Sequence, residues 1–198
     1  MNQYEKLNNE LRNCGISDIE FFGEKHGPLT RLVNTNLSAK PYVEILIKYI
    51  DKLEGNQLEM LVSALTEKGI KQVVPGLLEL FNKERGTYLW AVAYALYVID
   101  DKSSYNEILK ICSDKSLGIH RQMLMGTLAR MKTKEAYDLL INCLSDPSVK
   151  AHAIEGLGRF GNPEAIEILE RTEVEKGKYE FKAKRTALRR LERKKDSK

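Results

Sequence analysis

Cysteine, histidine and tryptophan are scarce in this chain, at three, three and one in 198 residues. Cys14, Cys112 and Cys143 form no CxxC pair and have no histidine cluster beside them, which argues against a structural zinc site, and their odd number suggests no disulfide framework. Reduced, structural thiols are expected. The chain also lacks a Gly-rich phosphate loop, a GxSxG elbow, an HExxH pair and any Cys–His signature, so no known catalytic constellation is indicated. Long apolar runs are missing too. The longest, Leu89–Ile99, spans 11 residues, well short of the roughly 20 that a membrane-spanning helix needs, and it reads as a buried core helix. The opening MNQYEKLNNELRN has no cationic segment followed by an apolar stretch. A non-enzyme of the cytoplasm is therefore expected, without membrane segment, metal or cofactor.

Charge is present but unevenly spread. The net value is +4, yet residues 178–198 carry ten Lys/Arg against three Asp/Glu, which leaves residues 1–177 at −3. The basic character belongs to the C-terminal segment.

What the chain does contain is a period. Five segments align on LVSAL (61–65), VAYAL (92–96), LMGTL (124–128), AIEGL (153–157) and KRTAL (184–188). Their closing leucines, Leu65, Leu96, Leu128, Leu157 and Leu188, are separated by 31, 32, 29 and 31 residues. Each follows a small residue, Ala64, Ala95, Thr127, Gly156 or Ala187, as closely packed helix layers require. A second ladder, Leu78, Leu109, Leu140 and Leu169, repeats at 31, 31 and 29. Asp146-Pro147 and Asn162-Pro163 read as helix starts, as do Ser103 and Thr133, and Gly69 and Gly161 read as helix stops. Each unit is then helix, turn, helix. The organisation expected is one α-solenoid domain. Residues 1–55 form a degenerate cap, 56–177 hold four repeats, and 178–198 form a basic capping helix. Pro41–Leu53 serves as the second helix of a degenerate first unit, and Gly23–Lys40 reads as a loop with one short helix.

The stretch DPSVKAHAIEGLGRFGNPEAIEILER (146–171) resembles a HEAT repeat of the short bacterial, phycobilisome-lyase-like type, and the other units follow in weaker form over 56–195. The resemblance implies an all-α, right-handed superhelix, with first helices on the convex side and second helices lining a concave side where such proteins often bind partners.

Register singles out three groups of surface residues. Two positions before the second-helix ladder stand Glu107, Asp138 and Glu167, and five before it stand Glu135 and Glu164. On this reading they form an acidic row that attracts a partner protein with a basic surface; the plainer alternative is a solvated face that complements helix N-termini. A basic row follows the first-helix ladder at Arg130, Arg159 and Arg190, and Arg185, Arg189 and Arg193 extend it. It can hold nucleic acid, or simply keep a solenoid end soluble. Trp90, Tyr94 and Tyr97 form an aromatic stripe where neighbouring units are polar or small. Either it anchors an interface or, the expectation favoured here, the Gly23–Lys40 segment or Phe21-Phe22 covers it.

His152 is expected as a buried, hydrogen-bonded core residue, and Cys112 and Cys143 as core residues one repeat apart. The leading functional expectation is a protein-binding scaffold using the acidic concave face; a bacterial immunity protein that blocks a basic toxin or enzyme is a variant of it. The rival is a nucleic-acid-binding protein similar to the HEAT-like alkylpurine DNA glycosylases. Trp90 and the basic C-terminus fit that rival, and the acidic groove opposes it.

Overall fold

A computed structural model describes residues 1–83 and 86–196. Positions 197 and 198 of the C-terminal segment lie outside the described residues. Contacts divide the chain into two compact units, Met1–Asp101 and Lys102–Lys198.

In the first unit, α1 (Gln3–Asn13) is capped by the Asn2 side chain, which accepts from the Glu5 N–H at 2.8 Å. This cap satisfies one of the donors that every helix start leaves open. The segment after α1 holds the expected short helix and, beyond the expectation, a hairpin. Ile19–Phe21 (β1) and Glu24–His26 (β2) pair as an antiparallel hairpin, followed by α2 (Pro28–Asn34). The turn between the strands is Phe22-Gly23, both with positive φ (53° and 77°), the backbone that a two-residue hairpin turn demands. Phenylalanine at that position gives no sequence cue, which is why the hairpin was not anticipated. Asp18 ties its base by accepting from Arg12 Nε at 2.7 Å and pairing with Lys25 at 3.3 Å. The Arg12 hydrogen bond is the main influence holding the Asp18 carboxyl below its usual pKa.

Helix α2 packs on α4 (Gly55–Ala64), so α2 acts as the first helix of the degenerate unit. Its second helix is α3 (Val43–Ile47), inside the expected Pro41–Leu53 segment. Glu67 fastens the connection by accepting from the Ser38 hydroxyl and the Ala39 N–H and pairing with Lys40 at 3.1 Å. The unit closes with α5 (Val74–Glu79) and α6 (Leu89–Ile99), the latter being the apolar run predicted to be core. The second unit holds α7 (Tyr105–Ser113), α8 (Leu124–Met131), α9 (Lys134–Asn142), α10 (Lys150–Phe160), α11 (Ala165–Arg171) and α12 (Tyr179–Lys195).

The first-helix ladder is core as expected. Leu65, Leu96, Leu128 and Leu157 are buried, and so are their small neighbours. Within the second unit these small residues set helix spacing. A Cβ on Gly156 would stand 3.0 Å from the Met125 carbonyl oxygen of α8, and one on Gly158 would stand 2.7 Å from the Cα of Ala187 on α12. Leu188 departs from the ladder. It is half-buried, and α12 instead turns Ala183, Ala187 and Leu191 inward.

The second ladder needs correction. Leu78 and Leu109 are half-buried, and the fully buried residues are Leu77 and Ile108. The true ladder is Leu46, Leu77, Ile108, Leu140 and Leu169, at spacings of 31, 31, 32 and 29. Each misassigned position belongs to an apolar doublet, and periodicity alone cannot choose within a doublet. The helices α3, α5 and α7 also share one entry. A 3-10 turn begins at Lys40, Lys71 and Lys102, 31 residues apart, and passes into α-helix three residues later. Ser103 therefore lies inside such a turn and does not start a helix. Cys112 and Cys143 are both buried although they lie four and three residues beyond their anchors. The end of α9 tightens into a 3-10 turn, Cys143–Ser145, and three residues per turn instead of 3.6 restores the inward direction with one residue fewer.

Helix stops follow the first ladder by four residues. Asp100, Lys132 and Gly161 are left-handed C-caps of α6, α8 and α10. Gly69 shares the positive φ but lies in the turn beyond α4, which ends at Ala64.

Candidate protein-binding site

Helix α6 buries Leu89, Ala91, Val92, Ala93, Ala95, Leu96 and Ile99. These positions cover most of its circumference and leave one narrow outward face, which carries Trp90, Tyr94 and Tyr97. Their rings run in a continuous stack. Trp90 and Tyr94 lie 5.9 Å apart at 18°, and Tyr94 and Tyr97 lie 6.5 Å apart at 27°. Trp90 and Tyr94 stay exposed, contrary to the expectation of a cover. Trp90 is 43% and Tyr94 40% exposed, and Phe22, proposed as part of the cover, is itself 95% exposed at the hairpin tip. The positive-φ turn at Phe22-Gly23 leaves the Phe22 ring in solvent and not on the stripe.

Beside the stack lies a groove of about 320 Å³ formed by α4 and α6. Glu59, Ser63 and Thr66 line one wall, and Trp90, Tyr94 and Val98 the other. The Glu59 carboxylate has no hydrogen bond or ion pair to any described residue, and neither has the Ser63 hydroxyl, the Trp90 indole N–H or the Tyr94 hydroxyl. Thr66 differs, since its hydroxyl donates to the Val62 carbonyl at 2.8 Å. Sequence comparison of the units located the aromatic wall. It missed Glu59 and Ser63, which are unremarkable until α4 and α6 stand side by side.

The acidic row is less continuous than its spacing suggested. With Ile108 as the anchor of α7, the residue equivalent to Asp138 and Glu167 is Asn106, so Glu107 falls out of register with them. Asp138 pairs with Lys134 on its own helix, and Glu167 pairs with Arg171. Glu164 accepts from the Asn162 side chain at 3.0 Å, and Glu135 lies exposed in the first turn of α9. Two of the five charges are thus compensated by a lysine or arginine on their own helix.

Three helices of the second unit carry the basic row, in which Arg159 pairs with Glu155 at 3.8 Å. Arg130, Arg159 and Arg190 are exposed on α8, α10 and α12, and α10 packs against both of the others. Lys132 joins them by donating to the Arg159 carbonyl at 2.9 Å, and burial together with the charge of nearby Lys194 lowers its pKa. Arg185, Arg189 and Arg193 lie exposed along α12.

His152 is only half-buried, and its ring faces that of Tyr179 at 6.0 Å. It has no hydrogen bond to any described residue, which corrects the expectation of a hydrogen-bonded core histidine. Burial lowers its pKa. The Tyr179 hydroxyl donates to Glu155 at 2.6 Å, and this bond, with burial, raises the Tyr179 pKa to about 12. Cys112 and Cys143 are buried free thiols whose pKa values burial pushes up; Cys14 is exposed, so it is no core thiol. Among the described residues no cluster of three or more His, Cys, Asp or Glu is placed to hold a metal ion. No helix among them is long and apolar enough to cross a membrane.

Among the described residues, the most deeply buried charged side chain is one that no sequence motif marks. Arg121, 1% exposed, donates to the carbonyls of Gly118 (3.2 Å) and Cys112 (3.0 Å), to the Ser148 hydroxyl (3.2 Å) and to the Asp146 carboxylate. Burial alone would raise the Asp146 pKa. Hydrogen bonds from Ser148 and Arg121 outweigh burial and hold it below the usual value. The cue in the sequence is Lys150, the next unit's residue in the same register, which donates to the Glu173 carbonyl. At this position the side chain ties neighbouring segments together.

Residues 105–183 match the family model described as HEAT repeats, a class that commonly mediates protein–protein interaction. No curated protein matches the chain.

Proposed function

We propose that this HEAT-like repeat protein is a non-catalytic scaffold that binds another protein, and that Trp90 and Tyr94 anchor the contact. The observation that carries this reading is the exposed ring stack on α6. Large aromatic side chains about 40% exposed forgo the last part of their burial, roughly 1 kcal/mol each, and clustered Trp and Tyr are the residues that dominate binding energy at interfaces. The acidic row is a weaker candidate because Lys134 and Arg171 already compensate two of its members. The test is co-purification from the native cell with wild type, the double variant Trp90→Ala/Tyr94→Ala, and the triple variant Glu107→Lys/Asp138→Lys/Glu167→Lys. Loss of a partner in the aromatic variant alone, at unchanged melting temperature, supports the reading. Loss only in the charge-reversal variant moves the site to the acidic row.

A second reading has its own observation. Arg185, Arg189 and Arg190 are exposed along α12 without an ion pair to any described residue, a pattern that suits a polyanion such as nucleic acid.

A further inference from the structure

We infer that the groove between α4 and α6 takes an arginine side chain of the partner, an assignment that rests on the scaffold reading and narrows it. The two walls differ in chemistry. The α6 wall is lined by Trp90 and Tyr94, whose rings are near-parallel at 18° and remain 43% and 40% exposed. The α4 wall presents the half-buried Glu59 carboxylate and the Ser63 hydroxyl, both unpartnered.

A ligand that satisfies both walls needs a flat cationic face for the rings and hydrogen-bond donors at its edge for the carboxylate and hydroxyl. Guanidinium is the side-chain group with that combination. It is planar, weakly hydrated, stacks on aromatic rings and donates in a fork that fits carboxylate. An ammonium is a compact, strongly hydrated point charge and satisfies the carboxylate without covering the rings. A purely apolar side chain would cover the rings and leave Glu59 desolvated and unpaired, which is unfavourable. The volume agrees, since about 320 Å³ lies at the small end of the roughly 300–1,000 Å³ of ligand clefts and suits one side chain. The surroundings agree as well. Residues 1–101 hold 11 Lys/Arg against 14 Asp/Glu, so this unit is net acidic and attracts a cationic segment.

Trp90 is the only tryptophan in the chain, so intrinsic fluorescence reports on this groove alone. The full chain is titrated with the blocked peptide acetyl-Gly-Arg-Gly-amide, and in parallel with the same peptide carrying citrulline, lysine or glutamate. The expected result is a saturable change in Trp90 emission with the arginine peptide in the millimolar range. Lysine should bind at least about threefold more weakly, and the citrulline and glutamate peptides should show no saturation. Glu59→Gln should weaken arginine binding about threefold, and Tyr94→Ala should remove it while melting stays unchanged. No saturable signal with arginine, an equal response to citrulline, or full binding by both variants overturns the assignment. If the arginine peptide fails while the Trp90→Ala/Tyr94→Ala variant still loses its cellular partner, the arginine assignment falls and the scaffold reading stands. If that double variant and the charge-reversal variant both keep every partner, the scaffold reading itself falls.

Discussion

Arg121 shows what one side chain contributes to joining repeats. Its guanidinium takes acceptors from the turn that precedes α8 and from the Asp146–Ser148 turn that leads into α10. Removing one partner of a buried pair strands the other, which is why such losses run to several kcal/mol although the intact pair contributes little net stability. Arg121→Met should therefore destabilise the protein by about 3 kcal/mol at neutral pH, as measured by urea denaturation. The pH dependence follows from the lowered Asp146 pKa. A lowered carboxylate pKa gives stability that is present above the unfolded value of about 3.9 and is lost as pH falls through the folded value. The gap between wild type and Arg121→Met should narrow between pH 5 and the acid limb. A gap unchanged at pH 3 would mean that Arg121 acts by packing and not through Asp146.

Between elements, α10 approaches α12 closely where Gly158 meets the backbone of Ala187. Gly158→Ala places a methyl 2.7 Å from the Ala187 Cα and Cβ, and overpacking of this kind costs about 1–3 kcal/mol. The expected drop in melting temperature is about 2–4 °C per kcal/mol for a chain of this size. Ala187→Gly in the same chain removes the Cβ half of the clash and should recover part of the loss, beyond what the two single changes predict by addition. Strict additivity in a double-mutant cycle by thermal melting would show that α10 and α12 separate instead of clashing. The same scale explains the misplaced second ladder. Leu77-Leu78 and Ile108-Leu109 are both apolar pairs, and only the 3-10 entries at Lys71 and Lys102 fix which member turns inward.

For the molecule as a whole, the uneven charge has a measurable consequence. Residues 102–198 carry 21 Lys/Arg against 14 Asp/Glu, whereas residues 1–101 are net acidic. If α12 binds a polyanion, each phosphate contact contributes a slope of about −0.9 to log K against log salt on duplex DNA. Replacing Arg185, Arg189 and Arg190 by Gln should then flatten that slope by about 2 to 3 in mobility-shift titrations at several salt concentrations. Equal slopes for the variant and wild type would remove α12 as a nucleic-acid surface and leave its charge a matter of solubility.

The 31-residue period, the helix pairs and the first-helix core were determined by the sequence itself, because burial of one apolar stripe per helix leaves a mark at fixed spacing that needs no knowledge of neighbours. The aromatic stripe was legible for the same reason, as a break in a repeated pattern. Tertiary structure decided what periodicity cannot carry. The hairpin at 19–26 depends on a positive-φ phenylalanine. The chemistry of the groove depends on Glu59, 31 positions from Trp90 in the chain, standing across from it. Side chains on different helices meet only once the helices are packed, so a site shared between elements is set by packing geometry, whereas the elements themselves are set by local pattern.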